Sequence, residues 1–194
     1  MEWQLPIQKI EISNINIGSP WARGEKHVQQ KPMVPLSYFG TQFRMPFLSV
    51  LFPALPVVEY NQHTGRLVLD MASTNLGCIK LNTLQETIIN AIVYHQQSWF
   101  RSEFSKEEVR NGFQPIIEGQ HIILHCPAAV KNVYVYKNGQ QIPFTPTDLK
   151  PGVRVRIGTK ILGISFLTKP GDDSAWSGKC RIQHKIQGII YQND

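Results

Sequence analysis

No stretch of this sequence stays apolar for long enough to cross a bilayer. The longest uncharged apolar run, MPFLSVLFPALPVV from Met45 to Val58, has fourteen residues and is broken by Pro46, Pro53 and Pro56, whereas a spanning helix needs about 20. No membrane partner is expected. Cysteine is scarce too: Cys78, Cys126 and Cys180 are odd in number and far apart. That count argues against a disulfide framework and predicts free thiols in a reducing, intracellular compartment. The opening MEWQLPIQKIEIS has no basic segment followed by an apolar core, so it does not resemble a signal peptide. Carboxylates are sparse where cations are dense: residues 110–191 hold eleven Lys and Arg against four Asp and Glu, while residues 1–109 hold nine of each. Metal-assisted phosphoryl chemistry usually draws on clustered carboxylates, so no metal, no cofactor and no enzymatic activity are expected.

What the sequence does have is cationic alternation. The formal net charge of +6 comes from the C-terminal part, and a locally positive surface attracts polyanions. In PGVRVRIGTKILGISFL, Pro151 to Leu167, Val153, Val155 and Ile157 look one way in a strand while Arg154, Arg156 and Lys160 look the other. GKCRIQHKIQ repeats the pattern: Cys180, Ile182, His184 and Ile186 alternate with Lys179, Arg181, Gln183 and Lys185. KNVYVYKNGQQIPF predicts a hairpin around Asn138-Gly139, with Tyr134 and Tyr136 out of phase with Val133 and Val135.

The remaining elements follow from periodicity and punctuation. QKIEISNINIG predicts a first strand ending at Gly18, and SPWARGEKHVQQKP a loop. Met33 to Val58 mixes aromatics, among them Tyr38, Phe39 and Phe43, with prolines that confine it to short or edge strands. EYNQHTGRLVLDM predicts a hairpin turning at His63 to Gly65. Thr83 with Glu86, and Ser105 with Glu108, each match the capping box that opens a helix. Trp99 and Phe100 between them are expected to plug the space between helix ends. HIILHC predicts a strand, LTKPGDDSAWSG a loop, and Gly158 and Gly163 are candidate bulges. The organisation expected is one domain over 1–194: an N-terminal strand and loop (1–32), Pro- and aromatic-rich strands (33–80), a helical segment (81–118) and a basic β-rich part (119–191).

Catalytic motifs fail on spacing. Six residues separate Gly171 from Gly178, where a phosphate-binding P-loop needs four, and Cys180 stands where Ser or Thr is required. His121 and His125 would lie about 13 Å apart along a strand, too far to share one ion. The fold class expected is mainly β with a few helices: a small antiparallel β-barrel of the oligonucleotide-binding (OB) type, which binds single strands through a positive groove and stacking aromatics.

Several segments together resemble one family. LNTLQETIINAIVYHQQSWFRSEFSKEEVRNGFQPII, VYVYKNGQQI, LKPGVRVRIGTKILGISFL and GKCRIQHKIQ are similar, in order and spacing from about Met33 to Tyr191, to the single-stranded DNA-binding proteins of nucleocytoplasmic large DNA viruses. Ser165 departs from the G-I-W-F expected at Gly163 to Phe166. The resemblance implies an OB-like, non-enzymatic protein that coats single-stranded DNA in viral replication, recombination or repair, in host cytoplasm or nucleus. RNA is a second candidate ligand, and replication or recombination proteins are candidate partners. The nucleic-acid-binding residues expected are Tyr134, Tyr136, Lys137, Arg154, Arg156, Lys160, Phe166, Lys179, Arg181 and Lys185. A competing reading is a viral structural or assembly protein whose basic strands meet an acidic protein partner, with the Pro- and aromatic-rich segment Met33 to Val58 as the interface.

Overall fold

The computed structural model describes residues 4–20, 32–41, 44–129 and 133–192, without the side chains of Asp173 and Ser174. Most of the expected loop after Gly18, Phe43 and the first three residues of the opening segment lie outside these residues. Strands β1 (Leu5–Pro6), β2 (Ile15–Ile17), β3 (Met33–Phe39), β4 (Arg44–Met45), β5 (Leu48–Leu51), β6 (Leu55–Asn61) and β7 (Arg66–Asp70) precede helices α1 (Asn75–Phe100) and α2 (Lys106–Gly112). Then come β8 (Phe113–Gln114), β9 (Ile117–Glu118), β10 (His121–His125), β11 (Tyr134–Lys137), β12 (Gln140–Ile142), β13 (Arg154–Lys169) and β14 (Asp172–Tyr191). The fold is mainly β. Its sheet runs β12-β11-β14-β13-β6-β7-β10-β9 and is open, with β3 and β5 also on β13 and β8 on β14. Most pairs are antiparallel, as expected, but β1/β5, β8/β14 and β11/β14 are parallel. No helix among the described residues is long and apolar enough to cross a membrane.

The long β13–β14 hairpin organises the molecule. Val155, Ile157, Ile161, Ile164 and Phe166 of β13 and Cys180, Ile182, Ile186 and Ile189 of β14 turn inward to a core shared with Leu36, Leu48, Phe52, Leu69, Leu81 and Ile88. Two bulges bend it. Gly158 faces Gly188 but Thr159 faces Ile186, leaving Gln187 extra on β14; Ile161 faces His184 but Gly163 faces Gln183, leaving Leu162 extra on β13. The glycine-bulge expectation is met at both places. The hairpin turns only at Pro170 and Gly171, so the loop expected over LTKPGDDSAWSG is in large part strand. Trp176, which that reading left in a loop, is 2% exposed and donates its indole N–H to the Lys179 carbonyl.

Helix α1 starts well before the expected Thr83. Thr83 lies inside the helix, where its hydroxyl donates to the Ile79 carbonyl at 2.8 Å, the bond a mid-helix threonine makes. The second capping box is real: the Glu108 N–H donates to Ser105 Oγ at 3.2 Å and the Ser105 N–H to Glu108 Oε2 at 2.8 Å. Arg101, in the left-handed region at φ 52°, ends α1. Trp99 and Phe100 then pack against Phe166, with Trp176 beside Phe100. The expected first strand survives only as β2; Ile7 and Ile10 are buried at short 3-10 turns, and Lys80 Nζ donates to the Ile10 carbonyl.

Candidate nucleic-acid interface

Strand register builds one face from four strands, β11, β14, β13 and β5. Residues paired across a sheet share a face, and alternate residues along a strand return to it. One row reads Tyr134, Gly188, Gly158 and Leu51; the next reads Tyr136, Ile190 and Arg156; a third reads Lys185, Lys160 and Ser49. Two tyrosines and three cations thus stand around paired glycines. The Asn138-Gly139 turn positions the tyrosines: φ is 54° at Asn138 and 75° at Gly139, both left-handed as a tight hairpin demands. Val135 on the alternate phase is 1% exposed, whereas Tyr134 is 49% exposed.

The cations are held differently. Arg154 donates from Nη2 to the Ala54 carbonyl at 2.8 Å and is exposed. Arg156 is partly buried, with Nε enclosed and unpartnered among the described residues. Lys160 Nζ lies 4.5 Å from the centre of the Phe47 ring, close enough for a cation–π contact. Lys160 and exposed Lys185 are directly opposed, which sets two like charges side by side on this face. Farther along β14, exposed Arg181 is paired with Ser165, and exposed Lys179 precedes it by two residues.

Two expected site residues belong elsewhere. Phe166 is fully buried on the core face, with ring centroids 4.7 Å from Phe100 and 5.3 Å from Trp176. The extra residue Leu162 reverses the phase of β13 before Phe166, so a ring counted outward lands inward. Lys137 is out of phase with the two tyrosines, and its Nζ is 5.9 Å from the ring centre of Tyr191, on the core-facing side of β14.

The structure also adds residues that alternation did not suggest. Gln4 lies where a Cβ on Gly158 would stand, and its Nε2 donates to Gln187 Oε1 at 3.2 Å. Gln4, Gln187, Leu51 and the two tyrosines line a notch of about 60 Å³ floored by Gly158 and Gly188. Of that floor, the sequence singled out Gly158 as a candidate bulge but not Gly188, which interrupts an otherwise continuous strand pattern. On the core side, His184 Nε2 accepts the His125 N–H at 2.8 Å. Burial, and then the neighbouring His125 and Arg181, hold its pKa down to about 4. Burial pushes the Cys126 and Cys180 thiols up to about 12, so both pack as small apolar groups. No family model matches this chain, and neither a curated protein nor a solved structure is detectably similar to it.

Proposed function

We propose that this protein binds single-stranded DNA, without catalysing a reaction, along the face formed by β11, β14 and β13. The observation that carries the reading is the register that sets Tyr134 and Tyr136 beside paired Gly188 and Gly158, with Arg156, Lys160 and Lys185 on the same face. Rings that project from a sheet give bases a surface to stack on, and cations beside them follow the phosphates; this is the chemistry of sequence-tolerant single-strand binding. The strongly bent β13–β14 hairpin suits an OB-like arrangement, although the sheet it organises is open. A role in replication, recombination or repair rests on the resemblance of the quoted segments alone, with no matching family model behind it. The assembly reading loses much of its Met33 to Val58 interface, because Val34, Leu36, Tyr38, Leu48, Val50, Phe52, Leu55 and Val57 are core residues; its other element, basic strands meeting an acidic protein, uses the same cations and is separated from DNA binding by the single-strand preference.

The salt dependence of affinity tests this reading. Each phosphate contact on a single strand contributes about 0.7 to the slope of log affinity against log salt. Replacing Arg156, Lys160 and Lys185 together by Ala should therefore flatten the slope by about 2. An unchanged slope removes this face from the binding site.

A further inference from the structure

A second polar site lies on the outer edge of β14. That edge pairs with β8 through Arg181 and with β11 from Gly188, and among the described residues no strand covers it between them. Pro115, which has no N–H to donate, follows β8 immediately, and the chain turns away into β9. The gap opens as a cleft of about 430 Å³ between β14 and β10, the size of pockets that hold small molecules, about 300 to 1,000 Å³.

The lining has a defined chemical character. Arg181 enters from β14 and Arg66 from β7, with Gln183 and Gln114 between polar walls and Glu118 the one acidic lining residue. The Arg181 guanidinium makes no hydrogen bond or ion pair among the described residues. Arg66 holds Glu59 through Nη1 at 2.7 Å, leaving further donors on its guanidinium. Two guanidinium groups call for an oxyanion, preferably one able to accept paired hydrogen bonds. A carboxylate in the same cleft repels a bare anion and calls for an N–H donor on the ligand. Ile123 and Pro115 offer apolar contact to a ring. Phosphate, ring and amino group occur together in a nucleotide.

We propose that this cleft binds one nucleoside monophosphate unit, with Arg181 and Arg66 at the phosphate and Glu118 accepting from an amino group of the base. The site is separate from the tyrosine notch and stands whether or not that face binds DNA.

Calorimetric titration of the full chain with deoxycytidine monophosphate, deoxycytidine and inorganic phosphate tests the assignment. The monophosphate should bind saturably and more tightly than either fragment. Arg181→Ala, at an exposed position, should weaken it by about tenfold or more. Glu118→Gln should weaken the nucleotide but not inorganic phosphate, and Tyr134→Ala should change neither. Oligomers with and without a 5′-phosphate separate two sources of the same chemistry: a phosphate-dependent gain lost in Arg66→Ala assigns the cleft to a strand end, and equal binding assigns it to free nucleotide. Absence of saturable binding at millimolar nucleotide, or undiminished binding by Arg181→Ala, overturns the proposal.

Discussion

Replacing His184 by Gln should flatten the acid limb of this protein's stability curve. The Nε2 lone pair of His184 is committed to the His125 N–H at 2.8 Å. A proton there would break that bond and place a second charge beside Arg181, which together with burial holds the pKa at about 4 against an ordinary 6.5. The sign follows from proton uptake. Above pH 6.5 the ring is neutral in both folded and unfolded chains, and the full stability is present. As pH falls from 6.5 towards 4, the unfolded chain takes up the proton and the folded chain does not, so stability is lost across that window. At about 1.4 kcal/mol per pH unit the loss reaches at most roughly 3 kcal/mol, and less because the ring is only partly buried. Glutamine keeps an acceptor near the position of Nε2, so His184→Gln should cost no more than about 1 kcal/mol at pH 7. Urea unfolding followed by tryptophan fluorescence at pH 7, 6, 5 and 4.5 measures both proteins. Carboxylates titrate in each, and the difference between the two curves isolates His184. Parallel curves would refute the reasoning.

Phe166→Ala should lower unfolding stability by about 3 to 5 kcal/mol, because the ring is fully buried against Phe100 and Trp176; urea denaturation reads this directly. Tyr134→Ala should weaken single-strand binding, measured by fluorescence anisotropy, by about 1 to 3 kcal/mol while leaving the melting temperature nearly unchanged. Lys137→Ala, on the other side of β11, should leave that affinity intact.

The parts of this fold legible in the sequence are those set by local chemistry. Asn138-Gly139 announces a tight turn because both positions need left-handed backbone, and Ser105 with Glu108 announces a helix start because each side chain satisfies the other residue's backbone N–H. Strand alternation likewise placed Arg156, Lys160 and Lys185 on the polar face. What alternation could not carry was phase across a bulge. Leu162 turns Phe166 inward, and Gln187 brings Gly188 to the outer face opposite Gly158. The start of α1 was hidden because Leu76 and Ile79 are exposed and Thr74 makes no side-chain cap bond. Partners from distant segments were equally invisible. The Gln4–Gln187 contact joins residues 183 positions apart, and parallel pairing of β11 with β14 depends on a connection that no turn motif encodes.

The central claim is single-strand binding at the tyrosine face, and a competition titration tests it most directly. Purified protein is titrated against labelled single-stranded and double-stranded oligomers of several unrelated base sequences at about 0.15 M salt, where nonspecific electrostatic attraction is already weak. The account predicts a clear preference for single strands, similar across sequences and reduced by Tyr134→Ala. Equal affinity for single and double strands, or a preference that survives loss of the Tyr134 ring undiminished, would contradict it.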